Sequence, residues 1–125
     1  MSLNWDFAFT DGDQKIFRNL SGDNNPIHHN NKFAKSKGFN APIIYGMLLS
    51  SQISRLIGEE LPDKNCVLTG VKINFYNPVY ANEKLLFNAN LQSKSEATNA
   101  LNFKFSIKKN KEKISSGMVQ ALWKA

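Results

Sequence analysis

One apolar segment in the middle of the chain constrains the fold more than any other feature. Residues 44–57 read IYGMLLSSQISRLI and carry apolar residues at i, i+4, i+7 and i+8, namely Leu49, Ile53, Leu56 and Ile57. This is the spacing of one face of a helix. Adjacent apolar residues widen that face, and a helix so apolar is normally wrapped by other elements. We therefore predict a buried helix over 44–57, ended by Gly58.

The chain after this helix consists of runs typical of strands. Residues 71–75, 85–91 and 101–108 alternate apolar and polar side chains, which indicates strands with one covered face. The run 114–123 is apolar on both faces, which suits a central strand or a strand at a subunit contact. One further alternating run, 4–10, lies near the start of the chain. Because the connections are short, antiparallel pairing is favoured, and the pattern predicts an α+β domain whose sheet covers the helix.

Two shorter helices are predicted between the first strand and the buried helix. The first spans 12–20, begins with N-cap chemistry at Thr10, Asp11 and Asp13, and ends at Ser21–Gly22. Its apolar face would consist of Ile16, Phe17 and Leu20. The second spans 31–37, with Gly38 as its C-cap.

Length and composition exclude several classes of protein. A chain of 125 residues is long enough for one domain with a real core and too short for two. No run approaches the roughly 18 apolar residues of a membrane span, and the first residues lack the pattern of a signal peptide. Cys66 is the only cysteine, which rules out an internal disulfide and fits a reducing compartment. We expect a single domain, residues 1–125, in the cytoplasm, with neither membrane association nor a Cys/His zinc site.

The net charge of +6 has three explanations. It can belong to an ordinary solvated surface, to a site for an anionic small molecule such as coenzyme A, or to a nucleic-acid surface. The lysines are scattered, and no stretch interleaves basic and aromatic residues as nucleic-acid binders do. We therefore expect no nucleic-acid partner, while charge alone does not separate the first two explanations.

A long polar stretch, residues 20–46, holds the candidate chemistry. It reads LSGDNNPIHHNNKFAKSKGFNAPIIYG and brings Asp23 and His28, two groups able to move a proton, close together in sequence around Pro26. Asp, Asn and Gly in this density disfavour regular structure. Connections this long are usually functional or disordered, and scattered apolar residues such as Phe33 and Ile44 argue against disorder.

The same stretch resembles the signature of the MaoC-like (R)-specific enoyl-CoA hydratases, in which Ser-Gly-Asp-x-Asn-Pro-[Ile/Leu]-His is followed by Gly-Phe and by Pro-Ile-x-His-Gly-Met. The matching residues keep the family's spacing: 20–28, Phe33-Ala34, Gly38-Phe39, Pro42-Ile43 and Gly46-Met47. The resemblance implies the hot-dog fold, an antiparallel five-stranded sheet wrapped around a central helix. It also implies a homodimer, with sheets paired edge to edge and the acyl pocket near the contact.

The resemblance further implies a reaction and a set of residues. The reaction is the reversible hydration of trans-2-enoyl thioesters, on coenzyme A or acyl carrier protein, to (R)-3-hydroxyacyl thioesters without a cofactor. The catalytic pair would be Asp23 and His28, and the backbone N–H of Gly46 would hold the thioester oxygen. Ser54 corresponds to a serine that supports the aspartate in some relatives, and Asn25 would shape the loop.

These residue types suit that chemistry. Hydration requires a base for the attacking water, a proton for C2 and a donor for the enolate-like oxygen. One carboxylate and one imidazole can provide the proton transfers. Unpaired N–H groups at a helix N-terminus can provide the donor, and a glycine there leaves room for the substrate carbonyl.

Alternatives remain open at this point. Alone, Asp23 could serve only a turn, His28 could be a surface histidine, and Ser54 could be a small packing residue on the helix. A non-catalytic acyl-thioester-binding subunit would share the fold but should lack one of the catalytic pair. A hot-dog thioesterase would need a carboxylate on the central helix, and 44–57 contains none.

The sequence also departs from the family pattern. Tyr45 stands where the family has histidine before the glycine, and Asn30-Asn31 replaces Asp-Pro. Neither departure removes a catalytic group, so they bear on substrate range.

Overall fold

The computed structural model describes residues 1–124. Its elements, in chain order, are β1 (Ser2–Phe7), α1 (Asp11–Ser21), a 3₁₀ turn (Pro26–His28), α2 (Asn31–Ser36), α3 (Gly46–Leu49), α4 (Ser51–Arg55), a π-helical turn (Leu56–Glu60), β2 (Cys66–Phe75), β3 (Leu85–Ser95), β4 (Ala100–Lys109) and β5 (Glu112–Trp123). We refer to α3, α4 and the π-helical turn together as the central helical segment.

All five strands form one antiparallel sheet in the order β1-β3-β4-β5-β2. This arrangement confirms the predicted α+β class and the five-stranded antiparallel sheet. The strand β5 lies between β4 and β2, as its two apolar faces indicated. The strands β1 and β2 form the two edges of the sheet within the single chain.

The core lies between the inner face of the sheet and the central helical segment. The helix contributes the predicted apolar face, and Leu49, Ile53, Leu56 and Ile57 are all buried. The sheet contributes large side chains from its interior strands, among them Phe87, Phe103, Phe105, Ile107, Ile114 and Val119. Each fully buried side chain of this size contributes about 1.5–3 kcal/mol through the hydrophobic effect. The helix is therefore held mainly by the sheet that covers it.

The predicted bounds of the central helix were wrong at both ends. Helical geometry begins at Gly46, whereas Ile44 lies outside the helix and donates its N–H to the carbonyl of Val79 at 2.8 Å. The segment is interrupted at Ser50 and then continues through Gly58 to Glu60. Glycine only disfavours a helix, whereas a proline pushes the preceding residue out of helical geometry. Pro62 rather than Gly58 therefore sets the end, and Leu61 is extended.

The helix α1 begins and ends close to the predicted positions. Thr10 caps it, accepting from the Asp13 N–H at 3.1 Å while Asp13 accepts from the Thr10 N–H at 2.9 Å. Gly22 ends it with a left-handed φ of 79°, which glycine adopts without steric cost. In α2, Lys37 is the C-cap and Gly38 is the left-handed residue that follows it.

The predicted apolar face of α1 was wrong. Ile16 and Leu20 are 66% and 81% exposed, whereas Gln14 is buried and Phe17 is half-buried. The apolar pattern failed because α1 packs on the polar loop that follows it. That loop presents backbone groups that need hydrogen-bond partners.

The edge strands also differ from their predicted limits. β1 covers residues 2–7 and leaves Phe9 outside, while β2 begins at Cys66, before the predicted run. Val71 and Phe75 of β2 are 46% and 47% exposed, although they share the inward face with Ile73. The cause is their position at the edge, where the single chain provides little to cover them.

Candidate active site

The loop between α1 and α3 is shaped by its own polar side chains. The Asp23 carboxylate accepts from the Asn25 N–H at 3.0 Å, and the Asn25 side chain accepts from the Ile27 N–H at 3.1 Å. Asn30 then accepts from the Phe33 N–H at 2.9 Å, which caps α2. These short side-chain-to-backbone bonds are why the Asp/Asn-rich sequence forms consecutive turns.

The imidazole of His28 is held on two sides. Its Nδ1 lies 2.8 Å from the carbonyl oxygen of Ile43. Since a carbonyl can only accept, we assign the proton to Nδ1, which leaves Nε2 of the neutral ring with a free lone pair. The ring also stacks on Tyr45, with centroids 3.9 Å apart and an angle of 24° between planes. His28 is thus oriented with Nε2 as its basic nitrogen.

Tyr45 connects the two candidate catalytic residues. Its hydroxyl donates to the backbone carbonyl of Asp23 at 2.5 Å, while its ring packs against both His28 and Phe17 of α1. Burial, followed by the negative charge of Asp23, raises the pKa of the Tyr45 phenol, and Arg18 opposes this in part. The phenol therefore remains protonated and donates at neutral pH.

The Asp23 carboxylate faces solvent. One of its oxygens accepts the turn hydrogen bond from the Asn25 N–H, so Asp23 does act as a turn residue. The hydrogen bonds of residues 1–124 leave its other oxygen without a protein donor. An oxygen in that position is able to contact a water or a substrate.

His28 lines two cavities. The first, of about 360 Å³, contains His28 and Gly46 and is otherwise mainly apolar, lined in part by Phe39, Ile43, Leu49, Phe75, Tyr76 and Val79. The second, of about 400 Å³, lies toward α1 and is more polar than the first, with Asp11, Lys15 and Arg18 among its lining. Asp23 lies outside the lining of both. The structure therefore brings His28 and Gly46 into one cavity, and links Asp23 to them through Tyr45.

Gly46 is the first residue of α3. Among the backbone hydrogen bonds of residues 1–124, none uses its N–H, while the preceding carbonyl of Tyr45 accepts from Leu48 and Leu49. A Cβ at position 46 would lie 3.1 Å from the ring of Phe75. A side chain at position 46 would therefore crowd the Phe75 ring, which would have to shift by a few tenths of an ångström.

Ser54 lies apart from the other candidates. It is exposed and lines a groove of about 220 Å³ between the central helical segment and β2. Its hydroxyl makes no hydrogen bond to Asp23 or to the Ser50 carbonyl within the described part of the chain. The expected support of Asp23 by Ser54 stays a prediction.

Gln14, which the sequence pattern did not single out, is buried beside the loop. Its only sequence signal was a polar residue three positions before Phe17, on the same face of a short helix. Within residues 1–124, no group of three or more His, Cys, Asp or Glu side chains is placed to hold a metal ion. None of the helices in that range has both the length and the apolar character needed to cross a bilayer.

A comparison with protein families identifies the chain. The family model described as "MaoC like domain" matches residues 4–113. This chain belongs to the MaoC-like domain family. The match spans β1, the site loop, the central helical segment and most of the sheet.

Known relatives of this MaoC-like chain include enzymes. It is 39% identical over 69 residues to the (R)-specific enoyl-CoA hydratase of Aeromonas caviae, covering 55% of this chain and 52% of that protein. It is 31% identical over 101 residues to the mitochondrial 3-hydroxyacyl-[acyl-carrier-protein] dehydratase of Arabidopsis thaliana, covering 81% of this chain and 60% of that protein. The matched region therefore spans little more than half the length of these curated relatives.

The fold agrees with this assignment. A solved (R)-hydratase from A. caviae, described as involved in PHA biosynthesis, superimposes with a TM-score of 0.93 and 25% identity, over 99% of this chain and 95% of that one. The MaoC-like chain therefore has the hot-dog fold of that enzyme.

Proposed function

We propose that this protein is a hydro-lyase that reversibly hydrates trans-2-enoyl thioesters to (R)-3-hydroxyacyl thioesters. Its substrates would be carried on coenzyme A or acyl carrier protein, and it would need no cofactor. The observation that carries the proposal is the cavity shared by His28, with its basic Nε2, and the unpaired N–H of Gly46, in a chain of the MaoC-like family.

The proposed reaction uses three groups. A water held by Asp23 and His28 attacks C3, forming the C3–O bond as the pair takes one proton. The π electrons move toward the thioester oxygen, which accepts a hydrogen bond from the Gly46 N–H. The pair then returns a proton to C2, so the sum is the addition of one water. Dehydration is the same path reversed.

We propose a homodimer formed along β2. The exposed apolar side chains of this edge strand are Val67, Leu68, Val71 and Phe75. Met47 and Tyr76, which lie outside the strand, are also exposed. An unpaired edge with apolar neighbours is normally paired or covered. Phe75 and Tyr76 also line the cavity with His28, so a second copy there would close the acyl pocket. Light scattering should give twice the chain mass of 14.1 kDa at micromolar concentration, and a monomer would contradict the dimer.

The two alternative functions have less support. The central helical segment does include Glu59 and Glu60, but both lie in its last turn, where Glu59 pairs with Lys64 and Glu60 pairs with Arg55. From Gly46 to Glu59 a helix rises about 20 Å, too far for a carboxylate to serve the same thioester as a thioesterase would require. A non-catalytic binding subunit has no need of an oriented imidazole and a free carboxylate oxygen.

The deciding experiment compares hydration with hydrolysis. Purified protein is mixed with enoyl-CoAs of graded chain length, and both the loss of the conjugated enoyl absorbance and the release of free thiol are followed. We expect absorbance loss without thiol release, and an (R)-3-hydroxyacyl product by chiral chromatography. Thiol release without hydration would favour the thioesterase, and neither signal would favour the binding subunit. The cytoplasmic location proposed from the lone Cys66 is tested separately by cell fractionation.

A further inference from the structure

The side chain of Gln14 is buried, with 6% of its surface exposed, although α1 lies at the surface. Its amide makes three hydrogen bonds to backbone groups. Nε2 donates to the carbonyls of His28 at 3.1 Å and Ile43 at 3.0 Å, and Oε1 accepts from the Tyr45 N–H at 3.0 Å. Both amide hydrogens and the amide oxygen are therefore used.

These three backbone groups belong to two chain segments that reach the site from different directions. One is the end of the 3₁₀ turn, which carries His28, and the other is the extended stretch that leads into α3. Moreover, the Ile43 carbonyl that accepts from Gln14 is also the one that lies 2.8 Å from His28 Nδ1. Gln14 thus holds both the backbone of His28 and the acceptor that orients its imidazole.

The same side chain acts on Tyr45. Gln14 fixes its backbone N–H, and Phe17, three residues along α1, packs against its ring with centroids 4.8 Å apart. The Tyr45 hydroxyl in turn holds the carbonyl of Asp23. One face of α1 therefore reaches both members of the proposed catalytic pair.

From this geometry we infer that Gln14 is a positioning residue, which sets the orientation of the His28 imidazole and, through Tyr45, the place of Asp23. The inference rests on the proposed function for its catalytic consequence. Its geometric part, the orientation of the His28 imidazole, can be measured whether or not the protein has the proposed activity. A purely structural role would stabilise the fold without affecting the imidazole.

The test uses three variants of the full chain. Gln14→Met removes all three hydrogen bonds at similar side-chain size. Gln14→Glu keeps an acceptor for Tyr45 but cannot donate to both carbonyls in either protonation state. Gln52→Met is the matched control, because Gln52 is a part-buried glutamine whose oxygen accepts from Trp5 Nε1 at 2.8 Å, away from the loop.

Two measurements are made on each variant. The first is kcat and KM for enoyl-CoA hydration. The second is the ¹⁵N spectrum of the imidazoles, which distinguishes the Nδ1–H from the Nε2–H form of a neutral histidine. The sequence contains two histidines, so His29→Gln assigns the signals of His28.

We expect wild-type His28 to be in the Nδ1–H form. Gln14→Met should lower kcat about 10- to 100-fold with little change in KM, as expected for a small displacement of a catalytic group. In this variant the His28 ring should populate both the Nδ1–H and the Nε2–H forms. Gln14→Glu should change kcat and the His28 spectrum in the same direction. Gln52→Met should lower stability but leave kcat and the His28 spectrum unchanged.

Other outcomes separate this inference from the proposed function. An unchanged His28 spectrum in Gln14→Met would overturn the inference, whether or not kcat falls. A changed spectrum with an unchanged kcat would establish the positioning and overturn the catalytic role of His28. If the wild-type protein is inactive, the His28 spectra still show whether Gln14 orients the imidazole. If neither Gln14 variant folds, an Nε2–H form in wild-type protein would overturn the inference, and the Nδ1–H form would support it.

Discussion

In the sheet, apolar side chains of β3, β4 and β5 pack against the central helical segment, whereas the loop between α1 and α3 is held by polar side chains bonded to its backbone. The sheet is stabilised by burial spread over many residues. The loop depends on a few groups, chiefly Gln14, Asp23, Asn25 and Tyr45. Stability and proposed chemistry are thus located in different parts of one small chain.

Substitutions in these two regions should therefore have different effects. Burial is non-directional, so a change in the core lowers the free energy of unfolding without re-aiming a distant group. A hydrogen bond is directional, so a change in the loop moves the groups that it orients. Stability and activity should therefore respond separately to changes in the core and in the loop.

The largest expected effect comes from the proposed catalytic pair. Asp23→Asn and His28→Ala should each lower kcat/KM about 10²- to 10⁴-fold while the circular dichroism and Tm stay close to wild type. Because the two residues act on one water, the double variant should be little worse than either single one. A single variant that keeps more than about a tenth of wild-type kcat/KM would show its role to be wrongly assigned.

A substitution in the core should lower stability and leave activity unchanged. Phe105→Ala, beside Phe87 in the sheet, should lower the free energy of unfolding by about 3–5 kcal/mol in urea titrations. At a temperature where the variant is folded, kcat should match wild type. A large fall in kcat of the folded variant would mean that the core and the loop are not separable in this way.

A smaller effect on activity is expected for Tyr45→Phe, which keeps the ring and removes the hydrogen bond to Asp23. We expect kcat to fall about tenfold and the free energy of unfolding by about 1 kcal/mol.

The same variant tests the pKa of Tyr45. Because folding raises that pKa, the phenol's contribution to stability is complete below the ordinary tyrosine value, about 10, and is lost as pH rises through the higher folded value. The stability difference between wild type and Tyr45→Phe should therefore shrink in strongly alkaline solution. A difference that stays constant there would contradict the raised pKa.

The smallest effect is expected for Ser54→Ala. Within one chain Ser54 lies in a separate groove beside β2, so it can reach an Asp23 carboxylate only if a second copy brings the two together. If it does, kcat should fall by up to about tenfold, as for other supporting residues. An unchanged kcat in the dimer would leave Ser54 a packing residue.

Most of the fold could be predicted from local pattern. The alternation in 85–91 and 101–108 predicted β3 and β4, and the apolar spacing in 44–57 predicted the buried helix face. The ends were less predictable, since Gly58 was taken as a stop that Pro62 provides instead. The face of α1 was predicted wrongly because hydrophobicity assigns Ile16 inward, while the neighbouring loop requires a polar partner.

The main elements and the candidate catalytic groups could be predicted without the fold, because periodicity, turn residues and the motif from Ser21 to His28 are local properties of the chain. How those groups are held depends on the packing of the folded chain. It placed Gln14 of α1 against His28 and Tyr45, and left Ser54 in a different groove. These contacts join residues far apart in sequence, and their directions depend on how α1 packs against the loop.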